Sequence, residues 1–130
     1  MREPGRVLIV DDDDIIREAL QTALEDAGLA VRAAAHGQAA LEMLDGWRPD
    51  LILLDLMMPV MDGWAFRQAQ WARPAAARIP VIVLSAARGL TEAAESLRPV
   101  QFIPKPFDLE EVITAVFGIL KSSRGGVTPT

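Results

Sequence analysis

The chain contains no cysteine, which excludes disulfides, thiol nucleophiles and thiolate metal sites together. A single histidine excludes His-rich metal centres as well. Basic residues are not in excess: 13 lysines and arginines against 18 aspartates and glutamates leave a net charge of −5. That is the wrong sign for direct binding of nucleic acid by counterion release. Long apolar runs are missing too. The first, Val7–Val10, meets four aspartates at once, too short a run for a signal peptide or a membrane span. These absences make the cytoplasm the expected location. What is present is an ordinary globular balance, 51% hydrophobic and 24% charged over 130 residues. One domain of this size buries about two thirds of its unfolded surface and needs no staples.

Short aliphatic runs alternate with helical periodicity. The spacing predicts strands at Val7–Val10, Leu29–Ala34, Leu51–Leu54, Val81–Leu84 and Val100–Pro104. Between and after them it predicts five helices. The first carries Ile15, Ile16, Ala19, Leu20, Ala23, Leu24 and Ala27 and stops at Gly28. The others cover Gly37–Asp45, Gly63–Arg73, Leu90–Leu97 and Leu109–Leu120. Alternation of this kind implies right-handed βαβ units and an α/β fold, a five-stranded parallel sheet covered by helices on both faces. Residues 1–120 read as one domain, and 121–130 (KSSRGGVTPT) have the composition of a flexible tail or linker stub.

Polar residues fall where the apolar runs end. Asp11 and Asp12 follow the first strand, Asp55 the third, Ser85 the fourth and Lys105 the fifth. In a parallel sheet these side chains gather at the carboxyl edge, where open α/β sheets bind ligands. Three crowded carboxylates repel one another unless a hard cation lies among them, and Mg²⁺ suits such oxygens while keeping open positions. Cation, ammonium and hydroxyl around one carboxylate are the equipment for phosphoryl transfer onto it.

Four motifs stand in order along the chain: VLIVDDD, DLILLDLMMPVMDG, IPVIVLSA and FIPKPF. Together they resemble the receiver domains of response regulators in two-component phosphorelays, over residues 6 to about 120. The resemblance implies the strand order 2-1-3-4-5 of a doubly wound, flavodoxin-like sheet. It implies that Asp55 is the phosphoacceptor, charged by a histidine kinase or a histidine phosphotransfer protein. Mg²⁺ is then held by Asp12, Asp55 and the backbone carbonyl of Met57, with Asp11 acting through water. Ser85 and Lys105 contact the phosphoryl group, Ser85 and Phe102 form the switch, and Pro106 follows a cis bond that aims Lys105. Met57 and Ala87 take the positions that tune phosphoryl lifetime. Output partners are expected on the face made by helix 4, strand 5 and helix 5. The family promotes its own phosphorylation and dephosphorylation without being an enzyme in the usual sense.

Plainer readings stand beside these. Asp13 and Asp14 read as first-turn acids favoured by the helix dipole, and Asp62-Gly63 as a turn and helix start. His36 reads as an exposed loop residue, Met57, Met58 and Met61 as loop and core packing, and Trp47, Trp64 and Trp71 as partly buried aromatics. Pro104 within the fifth strand requires an edge position. Ser85 stands where threonine is commoner in the family, and Phe102 lacks the tyrosine hydroxyl. The last helix is apolar nearly all round, which leaves two readings open: a second buried face with a homodimer or partner contact, or ordinary surface leucines and valines. Two rivals use the same residues: a constitutive pseudo-receiver that only binds partners, and a small Mg²⁺-dependent phosphatase with an aspartyl nucleophile. The intact acidic and basic set argues against the first. Met57, where a second acid would be needed, argues against the other.

Overall fold

Every second residue of the inner strands points to the same side of a parallel sheet, and that alternation divides the core in two. The computed structural model describes residues 4–85 and 94–125, with side chains to Ser122. Its elements are β1 (Arg6–Val10), α1 (Asp14–Asp26), β2 (Ala30–Ala34), α2 (Gly37–Leu44), β3 (Leu51–Asp55), α3 (Gly63–Trp71), β4 (Val81–Ser85), β5 (Gln101–Pro104) and α4 (Leu109–Gly125). All pairings are parallel and the strand order is β2-β1-β3-β4-β5, so Pro104 lies on an edge strand.

On one face Leu8, Val10, Ile52, Leu54, Val81 and Val83 pack against Ala40 and Leu41 of α2 and Phe66 of α3. On the other, Val7, Ile9, Leu51, Leu53, Ile82 and Leu84 pack against Leu20 and Leu24 of α1 and Val112, Val116 and Leu120 of α4. The strands β3 and β4 are buried throughout, as parallel strands covered on both faces must be.

Four helices stand among the described residues. The segment expected as a fourth helix, Leu90–Leu97, lies half outside them, and α4 is the helix expected as the fifth. It runs on to Gly125, beyond Leu120, because nothing in Lys121–Arg124 breaks a helix. Its second apolar face is narrower than its composition suggests. Ile113, Ala115 and Ile119 pack against the core, and only Leu109 and Phe117 are exposed large hydrophobics.

The helix ends follow local chemistry. Asp13 caps α1 by accepting hydrogen bonds from the amides of Ile15 and Ile16, and Asp62 caps α3 through the amide of Ala65. Gly28 ends α1 with φ +98°, the left-handed region that favours glycine. His36 is not an exposed loop residue: it is half-buried and caps α2, its Nδ1 accepting from the amide of Ala39.

Gly63 has a different task. A Cβ there would lie 2.8 Å from Leu56 Cα and 3.0 Å from the carbonyl oxygen of Asp55, so only glycine lets α3 start this close to the end of β3. Its amide donates to the Leu56 carbonyl at 2.8 Å. In the loop between, Val60 takes φ 71° in a three-residue turn closed by the Met61 amide on the Pro59 carbonyl. A β-branched residue in this conformation is strained.

Candidate functional site

Strand ends deliver the polar residues to one edge of the sheet. Asp11 directly follows β1 and is fully buried, and Asp55 closes β3 with 4% of its surface exposed. Exposed Asp12 lies beside them, and carboxylate oxygens of Asp11, Asp12 and Asp55 all come within 4.8 Å of one another. Lys105, which follows β5, places its Nζ 2.9 Å from Asp11 Oδ2 and 3.6 Å from Asp55 Oδ1. The ammonium is therefore closer to Asp11 than to Asp55, the carboxylate it was expected to face. Asp11 is the better partner because its other oxygen is already held by the Asp13 amide at 2.9 Å, which fixes its orientation.

Backbone bonds hold this edge together. The Arg17 guanidinium donates to the Asp11 carbonyl and the Lys105 amide donates to the Ser85 carbonyl at 2.7 Å. The Lys105–Pro106 peptide bond is cis. Ser85 ends β4, the strand that neighbours β3 on one side and β5 on the other, and is buried.

Burial and neighbouring charge act on these groups together. Burial, then the charge of Asp11, pushes the Asp55 carboxyl up from 3.8 to about 7; Lys105 pulls it down by less, and Asp12 adds a further upward push. Burial lowers the Lys105 ammonium, but the hydrogen bond and charge of Asp11, followed by those of Asp55, more than offset this and leave it raised. Three carboxylates, two buried and one exposed, thus crowd around one ammonium with negative charge in excess. Hard oxygen donors at this spacing fit a small divalent cation.

Other expected site residues lie around this cluster. Met57 is two residues beyond Asp55 and its side chain is 57% exposed, so it does not pack as Met58 and Met61 do. Phe102 sits in the middle of β5 opposite Val83, half-buried against the α2–α3 core. Ala87 lies outside the described residues. Asp13 and Asp14 take no part in the acidic cluster: Asp13 caps α1, and Asp14 pairs with Arg17.

The same fold occurs in known proteins. The family described as "Response regulator receiver domain" matches residues 7–117. The chain belongs to the response-regulator receiver family. It is 35% identical over 120 residues to the response regulator MprA of Mycolicibacterium vanbaalenii, covering 91% of this chain and 51% of that protein. This receiver thus spans about half the length of the curated relatives it matches. Among solved structures, the chemotaxis response regulator CheY4 of Vibrio cholerae superposes with a TM-score of 0.82 at 29% identity, over 89% of this chain and 98% of that one. The signal receiver domain of a histidine kinase from Syntrophus aciditrophicus is 33% identical with a TM-score of 0.81, over 97% and 94%. The receiver is a domain of two-component signalling, and among its described residues no helix is long and apolar enough to cross a membrane.

One polar cluster was not foreseen from the residue pattern. On α3, Arg67 is 5% exposed and Gln70 is fully buried. The Arg67 guanidinium donates to the carbonyls of Leu97 (2.8 Å), Arg98 (3.2 Å) and Ile79 (3.4 Å) and to Gln70 Oε1 (2.8 Å). Gln70 in turn donates to the carbonyls of Ala76 and Ile79. The available signal was positional: Gly63, Phe66, Arg67 and Gln70 share one helix face, so the inward stripe of α3 contains two polar residues.

Proposed function

We propose that the receiver accepts a phosphoryl group on Asp55 from the phosphohistidine of a histidine kinase or histidine phosphotransfer protein, and thereby switches its affinity for an output protein. The observation that carries this reading is the buried Asp55 carboxylate with Asp11, Asp12 and Lys105 gathered around it. An oxygen of Asp55 attacks phosphorus in line as the P–N bond to the donor imidazole breaks, and the imidazole leaves with the bonding pair. The Lys105 ammonium is within reach of oxygens added to Asp55, and the Ser85 hydroxyl is the neutral donor assigned to the same group. Asp12, Asp55 and the Met57 carbonyl would hold Mg²⁺, with Asp11 acting through water; bound there, the ion supplies positive charge for the phosphoryl oxygens. Hydrolysis of the acylphosphate later resets the domain.

The donor's approach is read from the surface beside the pocket. Ile15, 80% exposed at the start of α1, and Leu109 of α4 flank a cleft of about 550 Å³ floored by Ala19 and Ala23 and edged by Glu18 and Asp26. An amphipathic helical donor with basic flanks fits that chemistry. Output contacts are assigned to the face containing β5 and α4, where Val100 and Phe117 are exposed; a homodimer through α4 would use the same face. Residues 1–120 form the receiver unit in this reading, and the cytoplasm is the compartment that its donors imply.

Intact-mass measurement with Mg²⁺ and acetyl phosphate tests the acceptor. A phosphoryl adduct on wild type and none on Asp55→Ala is expected; no adduct on wild type, or one retained on Asp55→Ala, overturns the reading. Lifetime is assigned to Met57, which cannot hydrogen-bond an attacking water into line. Met57→Asn should shorten the adduct's half-life by about tenfold.

A further inference from the structure

Arg67 is the buried charge that this chemistry leaves unused. Among the described residues no carboxylate pairs with it, and it donates instead to three carbonyls and an amide oxygen. Burial lowers its pKa to about 10. A leucine there would fill space without a desolvation cost, so the guanidinium has to be explained by what its fork holds. Its fork holds Leu97 and Arg98, the turn that leads through Val100 into β5, with Arg98 itself at φ 53°. The ring of Trp71, 4.9 Å away, covers the guanidinium.

One helical turn before Arg67, on the same face of α3, stands Gly63. There the helix touches the Asp55–Leu56 backbone so closely that no Cβ fits. The helix is thus pinned at one end to the phosphoacceptor strand and at the next turn to the approach to β5. Ridges packed this tightly move as units, not by bending.

We propose that Arg67 is a positioning residue that carries displacement of the Asp55–Leu56 backbone, through α3, to the Leu97–Arg98 turn and the start of β5. This route is separate from the Ser85–Phe102 path and rests on the phosphoacceptor reading given above. Its physical content is one rigid helix with two fixed contacts, Gly63 and Arg67, at known places.

Amide NMR of the full chain, loaded with Mg²⁺ and beryllofluoride, tests it. In wild type, loading should shift the amides of Leu56 and Gly63 and also those of Leu97, Arg98, Val100 and Gln101. In Arg67→Met the first group should still shift and the second should lose its response. Equal responses of the second group in a folded Arg67→Met protein overturn the proposal. If Arg67→Met does not fold, hydrogen exchange on wild type decides. The hydrogen-bonded amides of Leu97 and Arg98 should then change protection on loading together with those of α3, and unchanged protection overturns the proposal. No shift at Leu56 or Gly63 in wild type sinks the phosphoacceptor reading and this inference together. Shifts there with none at Leu97–Gln101 sink only the inference.

Discussion

The receiver buries charge in two places, and the two are built on opposite terms. Around Arg67 a single cation is matched by carbonyl and amide oxygens, and among the described side chains no buried polar atom lacks a partner. Around Asp55 three carboxylates face one ammonium, and the Asp55 carboxyl is driven up to about 7. The first site is complete as it stands. The second is short of positive charge and is relieved by a proton or a cation. A buried charge that is fully bonded serves position, whereas one left in conflict serves chemistry.

Removing charge should therefore act with opposite sign at the two sites. Arg67→Met leaves the carbonyls of Leu97 and Arg98 and the Gln70 amide without their donor, and should cost about 3 kcal/mol in a urea melt. A loss under about 1 kcal/mol would show that water replaces the guanidinium freely and erase the contrast. Adding charge to the acidic site should work in the stabilising direction. Mg²⁺ at a hundredfold excess over its dissociation constant should raise stability by about 2.7 kcal/mol, and an unchanged melting temperature would mean that the carboxylates hold no such ion.

The pH dependence sharpens the same point. Asp55 titrates near 7 in the fold against an ordinary 3.8, so between these values the folded protein holds the extra proton. Stability from this group is full below the ordinary value and is lost as pH rises through about 7. Asp55→Asn, which cannot ionise, should be about 2 kcal/mol more stable than the Mg²⁺-free wild type at about pH 8, and indistinguishable at about pH 3. Parallel stability curves across that range would contradict the crowding described here. The smallest effect is expected beside the pocket, at Val60. It is 84% exposed at φ 71°, so Val60→Gly gives up little packing and relieves strain. A gain of about 1 kcal/mol is expected, and a loss would place the strain elsewhere.

Much of this was legible along the chain because strands buried on both faces and amphipathic helices announce themselves by periodicity. The runs Val7–Val10, Leu51–Leu54 and Val81–Leu84 lie inside observed strands, and Gly28 ends α1. Strand-end polar residues have to converge when all strands are parallel, so the gathering of Asp11, Asp12, Asp55 and Lys105 was legible as well. His36 was misjudged although the helix start at Gly37 was foreseen, because histidine is not among the usual capping residues, Ser, Thr, Asp and Asn. Met57 was grouped with Met58 and Met61, although only the path of the loop decides which methionine faces out.

The sequence by itself determined the alternation of strands and helices, the parallel sheet and the edge on which acid and base would meet. Those follow from local periodicity and from chain direction. Only the tertiary structure decided that Lys105 lies nearer Asp11 than Asp55, that Gly63 fits against the Asp55 backbone, and that Arg67 caps a turn thirty residues further along. Each of these depends on distances between elements far apart in the chain, set by how helices seat on the sheet, and no local pattern encodes such distances.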